Sequence, residues 1–577
     1  CCAKLAGGEP GGSEDSARQC VEFGLRVVGR QAQPAALRER VKDADYIPGL
    51  IQRLLLDNPH RVRLVVTPDT TLAARRETAE AERLASMKET LSGEHTAEIL
   101  DLAARLRDRQ GQKDDPDILP RVELSDIPSE TPSPTPIVQD TDSGTHYRYT
   151  AGTNGLVYQQ WVSRLPAMTA SEQQHLPLVT ALMAEVGVGE LDYLQTQERH
   201  SATVGSLGAS VSSRAHRDDE QSCDSFFVLS SKALADRTDP QLALMSDTLV
   251  NARFDEQNRI RDLVSQMRAR RDQGITGSGH SLAMSAASAG MSPLAQLAHE
   301  QGGLEGIRRL RELDDVLKED GELEALTHSL GAIHQKLADA GAPLLCTIAD
   351  EPNIDDASAA ALAAATAHSS ADATSSAMAA IREQRQEMWV TNTQVNFCAK
   401  AYPTVPSGHA DAPKLSVLAA FLRNGFLHRS IREQGGAYGG GASHDPNIAA
   451  FRFFSYRDPR LVETLSDFDA AINWLMDEQH EQLALEEAIL SVMASLDKPG
   501  SPAGEAKRDF YERLFGRTSE HRKILRAGIV NTTLDDLRRV ADTYLKPELA
   551  STAVITHSAG AELVTEQGLA LTRQELL

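Results

Sequence analysis

Ile431-Arg432-Glu433-Gln434-Gly435-Gly436-Ala437-Tyr438-Gly439-Gly440-Gly441 is the stretch on which the reading of this chain turns. Upstream, Leu415, Leu418, Leu422 and Phe426 fall on one helix face, the spacing of a helix docked on a sheet. The glycines stop that helix, and residues 449–456 read as a strand beyond it. Tyr438 follows Arg432 around the glycine turn. With glycine on both sides of the tyrosine, a ligand's backbone can approach the phenol closely. A guanidinium and a phenol are both hydrogen-bond donors, so together they suit a carbonyl oxygen gaining negative charge. The same spacing also fits a plain capping turn, with Tyr438 packed in the core and Arg432 in a surface ion pair. No Lys-Ser/Thr follows the glycines, which argues against a phosphate loop.

Working outward, residues 412–433 read as a helix, 390–399 as a strand, 343–348 as another and 459–497 as a long helix. An earlier stretch repeats the order. Residues 155–162, 202–212 and 225–230 read as strands, 176–188 as a buried helix, 239–272 as one or two long helices and 304–340 as helical. Residues 276–289 are rich in Gly and Ser and read as a flexible loop. Residues 357–380 are Ala-rich, helical or flexible. The pattern implies two similar α+β domains, at 121–335 and 336–577. Residues 114–144 have a linker composition. Residues 72–113 have high helix propensity with Gly93 near the middle, so 68–120 reads as a helical hairpin linker. Residues 61–67 alternate and are β-branched, a strand stopped by Pro68. Residues 1–45 are polar and weakly helical, with no role evident.

Composition excludes several functions. Among 577 residues, 59 Lys+Arg face 82 Asp+Glu, a net charge of −23. That balance disfavours a nucleic-acid or anionic-membrane binder. The most apolar run, 176–189, is broken by Glu185 and falls short of the roughly 18 residues a membrane helix needs. Six cysteines without a C-x-x-C read as reduced intracellular thiols. No apolar leader opens the chain and no Met begins it, so a fragment or a processed product is expected. The 17 histidines include no H-E-x-x-H or H-x-x-E-H, the spacing that puts both imidazoles on one helix face to grip zinc. His299-Glu300 and His480-Glu481 lack a second His four residues on.

The run from Phe421 through Tyr438-Gly439-Gly440, followed by Phe453-Phe454-Ser455-Tyr456-Arg457-Asp458-Pro459, resembles the C-terminal half of the presequence protease group in the insulinase (pitrilysin) family. Asp57-Asn58-Pro59-His60, Thr153-Asn154-Gly155-Leu156-Val157-Tyr158, Glu185-Val186-Gly187-Val188-Gly189 and Gln394-Val395-Asn396-Phe397 resemble other segments of that group. The likeness runs from about residue 50 to the end. It implies four similar α+β domains in two halves that close around a peptide. Residues 1–67 would then be the remnant of a preceding pitrilysin-type domain, 121–335 the third family domain and 336–577 the fourth.

By the same resemblance, Arg432 and Tyr438 bind the scissile carbonyl, and Gly435, Gly436, Gln394 and Asn396 contact substrate. Zinc serves the intact enzyme, held by an N-terminal half, with no ligands expected from this chain. The implied activity is zinc-dependent hydrolysis of short unstructured peptides such as presequences, with this chain inactive alone. The expected partners are peptides and the zinc-bearing half, with no nucleic acid and no membrane. An intracellular location is expected, in a bacterial cytoplasm or an organelle matrix. The alternative is an inactive partner subunit or peptide-binding scaffold of the same fold.

Overall fold

A computed structural model describes residues 36–37, 39–67, 69, 71–111, 120, 122–128, 130–141, 144–341, 343–365 and 378–576. The chain forms two compact units, Cys1–Leu119 and Pro120–Leu577.

In the first unit, α1 (Tyr46–Ile51) runs into a π turn (Gln52–Leu56). Two longer helices follow, α2 (Leu72–Thr90) and α3 (Gly93–Gly111). They break where the Ser92 hydroxyl accepts the His95 N–H at 3.1 Å, a side-chain cap that starts the second helix. Residues 61–67 are not a strand. Val62 is 94% exposed and Val66 84%, and no strand pairs with them among the described residues. An alternating β-branched run becomes a strand only with a neighbour to satisfy its backbone.

The second unit opens with β1 (Ile137–Thr141), β2 (Gly144–Thr150) and β3 (Leu156–Arg164). There follow α4 (Ala170–Leu182), α5 (Tyr193–Thr203), β4 (Ser206–His216) and β5 (Asp219–Leu234). A helical run comes next: α6 (Thr238–Asn251), α7 (Gln257–Ser288), α8 (Pro293–Gly302), α9 (Leu304–Val316) and α10 (Glu322–Asp339). Then come β6 (Leu344–Ala349), α11 (Ile354–Ala365), β7 (Gln386–Val390) and β8 (Phe397–Pro403). After α12 (Ala412–Leu422) and its π continuation (Arg423–Gln434) stand β9 (Gly439–Asp445) and β10 (Ala450–Tyr456). The end comprises α13 (Val462–Asp477), α14 (Gln482–Leu496), α15 (Pro502–Leu514), α16 (Ser519–Val530) and α17 (Leu534–Tyr544), then β11 (Ser551–Thr556), α18 (Ser558–Glu566) and β12 (Thr572–Glu575).

Two six-stranded sheets result, ordered β1-β2-β6-β3-β5-β4 and β12-β7-β11-β8-β10-β9. They share one topology. In each, the first strand of the repeat (β2, β7) lies parallel to the fifth (β6, β11), and the fifth, second, fourth and third follow antiparallel. The expected duplication is therefore present in the strand connectivity. It also moves the boundary: the strand at 343–348, expected to open the second domain at 336, is β6, which closes the first sheet. The strand expected over 390–399 is two strands joined by a turn, and the helix over 459–497 breaks into α13 and α14. Of the Ala-rich run, 354–365 forms α11, and residues 366–377 lie outside the described residues, as do 1–35.

Each sheet lends a helix to the other. Sheet one buries Trp161 and Phe227 under its own helices, and its opposite face takes Ala503, Ala506 and Phe510 of α15 against Val162, Phe226 and Ile348. Sheet two buries Phe451 and Phe453 under α12 and α13. Its opposite face takes Ile275, Ala283, Ala286 and Ala287 of α7 against Phe397, Ala399 and Ala401. The segment read as a flexible loop at 276–289 is thus helix, bent only at Ser278 (φ −122°, ψ 15°). Its Gly, Ser and Ala content is a close-packing surface: a Cβ on Gly279 would lie 2.6 Å from the Phe397 ring. In an interior this dense, the small residues let the helix approach the sheet closely.

Under sheet one, His146 on β2 is fully buried. Its Nε2 lies 2.9 Å from the Thr347 hydroxyl, which donates to Gln159 Oε1 at 2.8 Å. Burial, with help from Arg148, holds the imidazole down to about 4. An unfolded His titrates near 6.5, so between these values the unfolded chain binds more protons. Stability should therefore fall as pH drops from about 6.5 to about 4, by on the order of 3 kcal/mol. Urea midpoints of wild type and His146→Gln across this window check it. The wild type should lose more; equal losses would exclude His146 as the cause.

Candidate carbonyl-binding site

The site is built by one helix, one turn and two strands. Leu415, Leu418 and Leu422 of α12 are fully buried, as their spacing requires, while Phe426 is half-buried against Trp474, ring centres 5.8 Å apart. The π continuation carries the chain to the glycine turn. Gly436 has φ +79°, a left-handed conformation that favours glycine. Its N–H donates to Arg432 O, and the Ala437 N–H to Ile431 O, both at 3.1 Å, which satisfies the helix end. Gly435 is buried, and a Cβ there would fall 2.0 Å from the Arg460 guanidinium. Arg460 in turn donates to Asp467 at 2.8 Å and to Ser430 O at 3.3 Å.

The glycines after Tyr438 have a different cause from the one expected. They are the start of β9, an edge strand against which the π continuation packs. A Cβ on Gly440 would lie 2.7 Å from Ile431 Cγ2, and one on Gly441 2.7 Å from Arg423 Cδ. Arg423 therefore packs over β9 at Gly441. Only Gly439 has open space around it.

Arg432 and Tyr438 flank the turn, and both face solvent. Tyr438 is 69% exposed, so it is not the core residue of the capping-turn alternative. Nor is Arg432 in an ion pair with any described residue. The two side chains share no hydrogen bond among the described residues. Tyr438 is fixed from behind. Its N–H donates to Arg457 O at 3.3 Å, and its ring meets Tyr456 edge-on at 5.4 Å. Tyr456 is held by His280 of α7 (4.7 Å), Phe397 (6.0 Å) and the Arg457 guanidinium (5.5 Å). A ring anchored on one side with a free hydroxyl on the other is poised to donate outward.

Asn396, expected to contact substrate, has its polar atoms engaged within the protein. It is buried, and its backbone exchanges hydrogen bonds with Asp458 at 2.8 and 2.9 Å. Its Nδ2 donates to the carbonyls of Asp458 (3.2 Å) and Arg460 (3.3 Å), and its Oδ1 accepts from Thr556 at 2.6 Å. Every polar atom is used, so Asn396 pins the loop whose Arg457 carbonyl holds Tyr438. Asp458 in that loop is fully buried. Burial raises its carboxyl, while the Thr464 hydroxyl and Arg460 N–H partly offset the rise. Gln394 is exposed beside a recess of about 600 Å³ shared with Thr391, Asn392, Thr393, His557 and Ser558. Among the described residues no group of three or more His, Cys, Asp or Glu is disposed to hold a metal ion, and no helix is long and apolar enough to cross a membrane.

Solved structures share the architecture. A conserved protein from Enterococcus faecalis superposes with a TM-score of 0.54 at 14% identity, covering 74% of this chain and 99% of that one. Pitrilysin superposes at 0.51 and 15% identity, covering 78% and 47%. The fold is of the pitrilysin class. The associated domain of peptidase family M16, subfamily C, matches residues 66–313, and the "PreP C-terminal domain" matches residues 386–557. The mitochondrial presequence protease of Danio rerio is 28% identical over 527 residues, 87% of this chain and 50% of that protein. The chloroplastic/mitochondrial presequence protease 1 of Arabidopsis thaliana is 27% identical over 498 residues, 85% and 46%. The chain is a presequence protease-like member of the insulinase family and corresponds to its C-terminal half. It spans about half the length of the curated relatives it matches.

Proposed function

We propose that this chain supplies the carbonyl-binding wall of a metallopeptidase that degrades short, unstructured, presequence-like peptides. The observation that supports this is a solvent-facing phenol and a guanidinium without an ion pair among the described residues, at the two ends of one glycine turn, the phenol braced from behind. Tyr438 Oη and the Arg432 guanidinium donate to the peptide oxygen, more strongly as it gains charge. The described residues of this chain offer a metal no ligand set. Zinc, in the intact enzyme, is held elsewhere, and this chain binds and orients the peptide. A net charge of −23 favours encounter with basic peptides. The relatives are named as mitochondrial or chloroplastic proteins, and an organelle matrix suits the same substrate here.

The experiment mixes this chain with a zinc-bearing N-terminal half and follows cleavage of a basic presequence-like peptide. Hydrolysis is expected only when both are present. Cleavage by this chain alone, or no gain on adding it, would overturn the proposal.

A further inference from the structure

A second concavity lies far from the glycine turn in sequence, between α4, α7 and α9. It measures about 380 Å³, and Leu178, Met267, Leu310, Leu313 and Val316 form much of its wall. Arg271 of α7 also lines it. Several arginines on α7 and α9 are neutralised. Arg268 pairs with Asp314 and Asp315 at 2.8 and 2.9 Å, Arg311 with Asp272 at 2.8 Å, and Arg309 with Glu305 at 2.9 Å and Glu300 at 3.4 Å. Arg271 has no such partner among the described residues. Its Nη1 donates to the carbonyl of Gln301 at 2.7 Å. Its pKa is lowered by burial alone, where that of Arg268 is raised by its two carboxylates.

A half-buried cation without an anion is costly, and this one lines the same cleft as Leu178, Met267 and Leu313. Clefts of this size that combine an apolar wall with a few placed polar groups are the usual form of a small-molecule site. We propose that the cleft binds a small ligand with an apolar body and a single carboxylate, the carboxylate on Arg271 and the body on Leu178, Met267 and Leu313. Glu300 and Glu312, which also line the cleft, disfavour a second negative group on the ligand. Two sources carry this chemistry, an aliphatic acid and a peptide C-terminus with an apolar last residue.

The test titrates the full chain calorimetrically with octanoate, with octanamide and with N-acetyl-leucine. At least one carboxylate should bind with micromolar Kd, and octanamide about tenfold or more weaker than octanoate. Arg271→Gln should remove that difference without changing the octanamide affinity. Tighter binding of octanoate assigns the cleft to an aliphatic acid, and tighter binding of N-acetyl-leucine to a peptide end. Both carboxylates binding no tighter than octanamide, no binding of any probe below about millimolar concentration, or Arg271→Gln leaving the affinity of the tighter carboxylate unchanged would each overturn it. The octanamide comparison uses the wild-type chain, so the outcome stands even if the variant fails to fold.

Discussion

Replacing Tyr438 by Phe is expected to lower kcat/KM of the enzyme reconstituted with its zinc-bearing half by about 10²–10³-fold, roughly 3–4 kcal/mol. The change deletes one hydroxyl. The ring keeps its edge contact with Tyr456, and the backbone bond to Arg457 O is untouched. Because the phenol is largely exposed, its removal strands no buried partner, so stability should shift by less than about 0.5 kcal/mol. The loss should appear in kcat, since a donor that tightens on a developing oxyanion acts chiefly in the transition state. Steady-state kinetics beside a urea melt separate the two effects. A variant as active as wild type would remove Tyr438 from the chemistry. One that lost activity and stability together would recast it as structural.

The second large effect concerns the fold. Phe510→Ala should destabilise the chain by about 3–5 kcal/mol, the usual range for truncating a buried Phe. Phe510 is fully buried, on a helix that follows β10 of sheet two in the sequence yet packs on sheet one. Its ring meets Tyr147 edge-on at 5.3 Å, and its neighbour Asp509 accepts the Tyr149 hydroxyl at 2.7 Å. The cavity would therefore open under the first sheet, although the substitution lies near the end of the chain. Urea denaturation monitored by the fluorescence of Trp161, which lies in sheet one, should report the loss. A shift under about 1 kcal/mol would show that α15 is not part of that core.

How much of this was legible beforehand depends on the range of the interactions involved. Leu415, Leu418 and Leu422 repeat at helical spacing, and all three are buried, because a helix face is a local pattern. The repeated strand order was also visible, since alternation needs only a few residues. The domain boundary was not. β6 is the fifth strand of its repeat but pairs between the first and second, and no short window records which sheet a strand joins. Residues 276–289 misled for a related reason. Gly279 and its neighbouring serines and alanines look like a loop until the Phe397 ring that fills the missing side chain is in place.

At the site, the turn alone left Arg432 and Tyr438 open between a carbonyl grip and a plain cap, and the resemblance to the presequence protease group singled them out. Asn396 was recognisable as notable, but its bonds to the Asp458 loop were not, because they join residues some sixty positions apart. His280 could not have been found, because it reaches Tyr456 from a helix more than a hundred residues away in sequence.

The most direct test of the central claim, that Arg432 and Tyr438 grip one peptide oxygen, is a double-mutant cycle in the reconstituted enzyme with Arg432→Gln, Tyr438→Phe and the pair. Two donors to one oxygen should be coupled, with the double variant's loss in kcat/KM departing from the product of the single losses by about 0.5 kcal/mol or more. Single losses that simply multiply, or either single variant with wild-type kcat/KM, would contradict it.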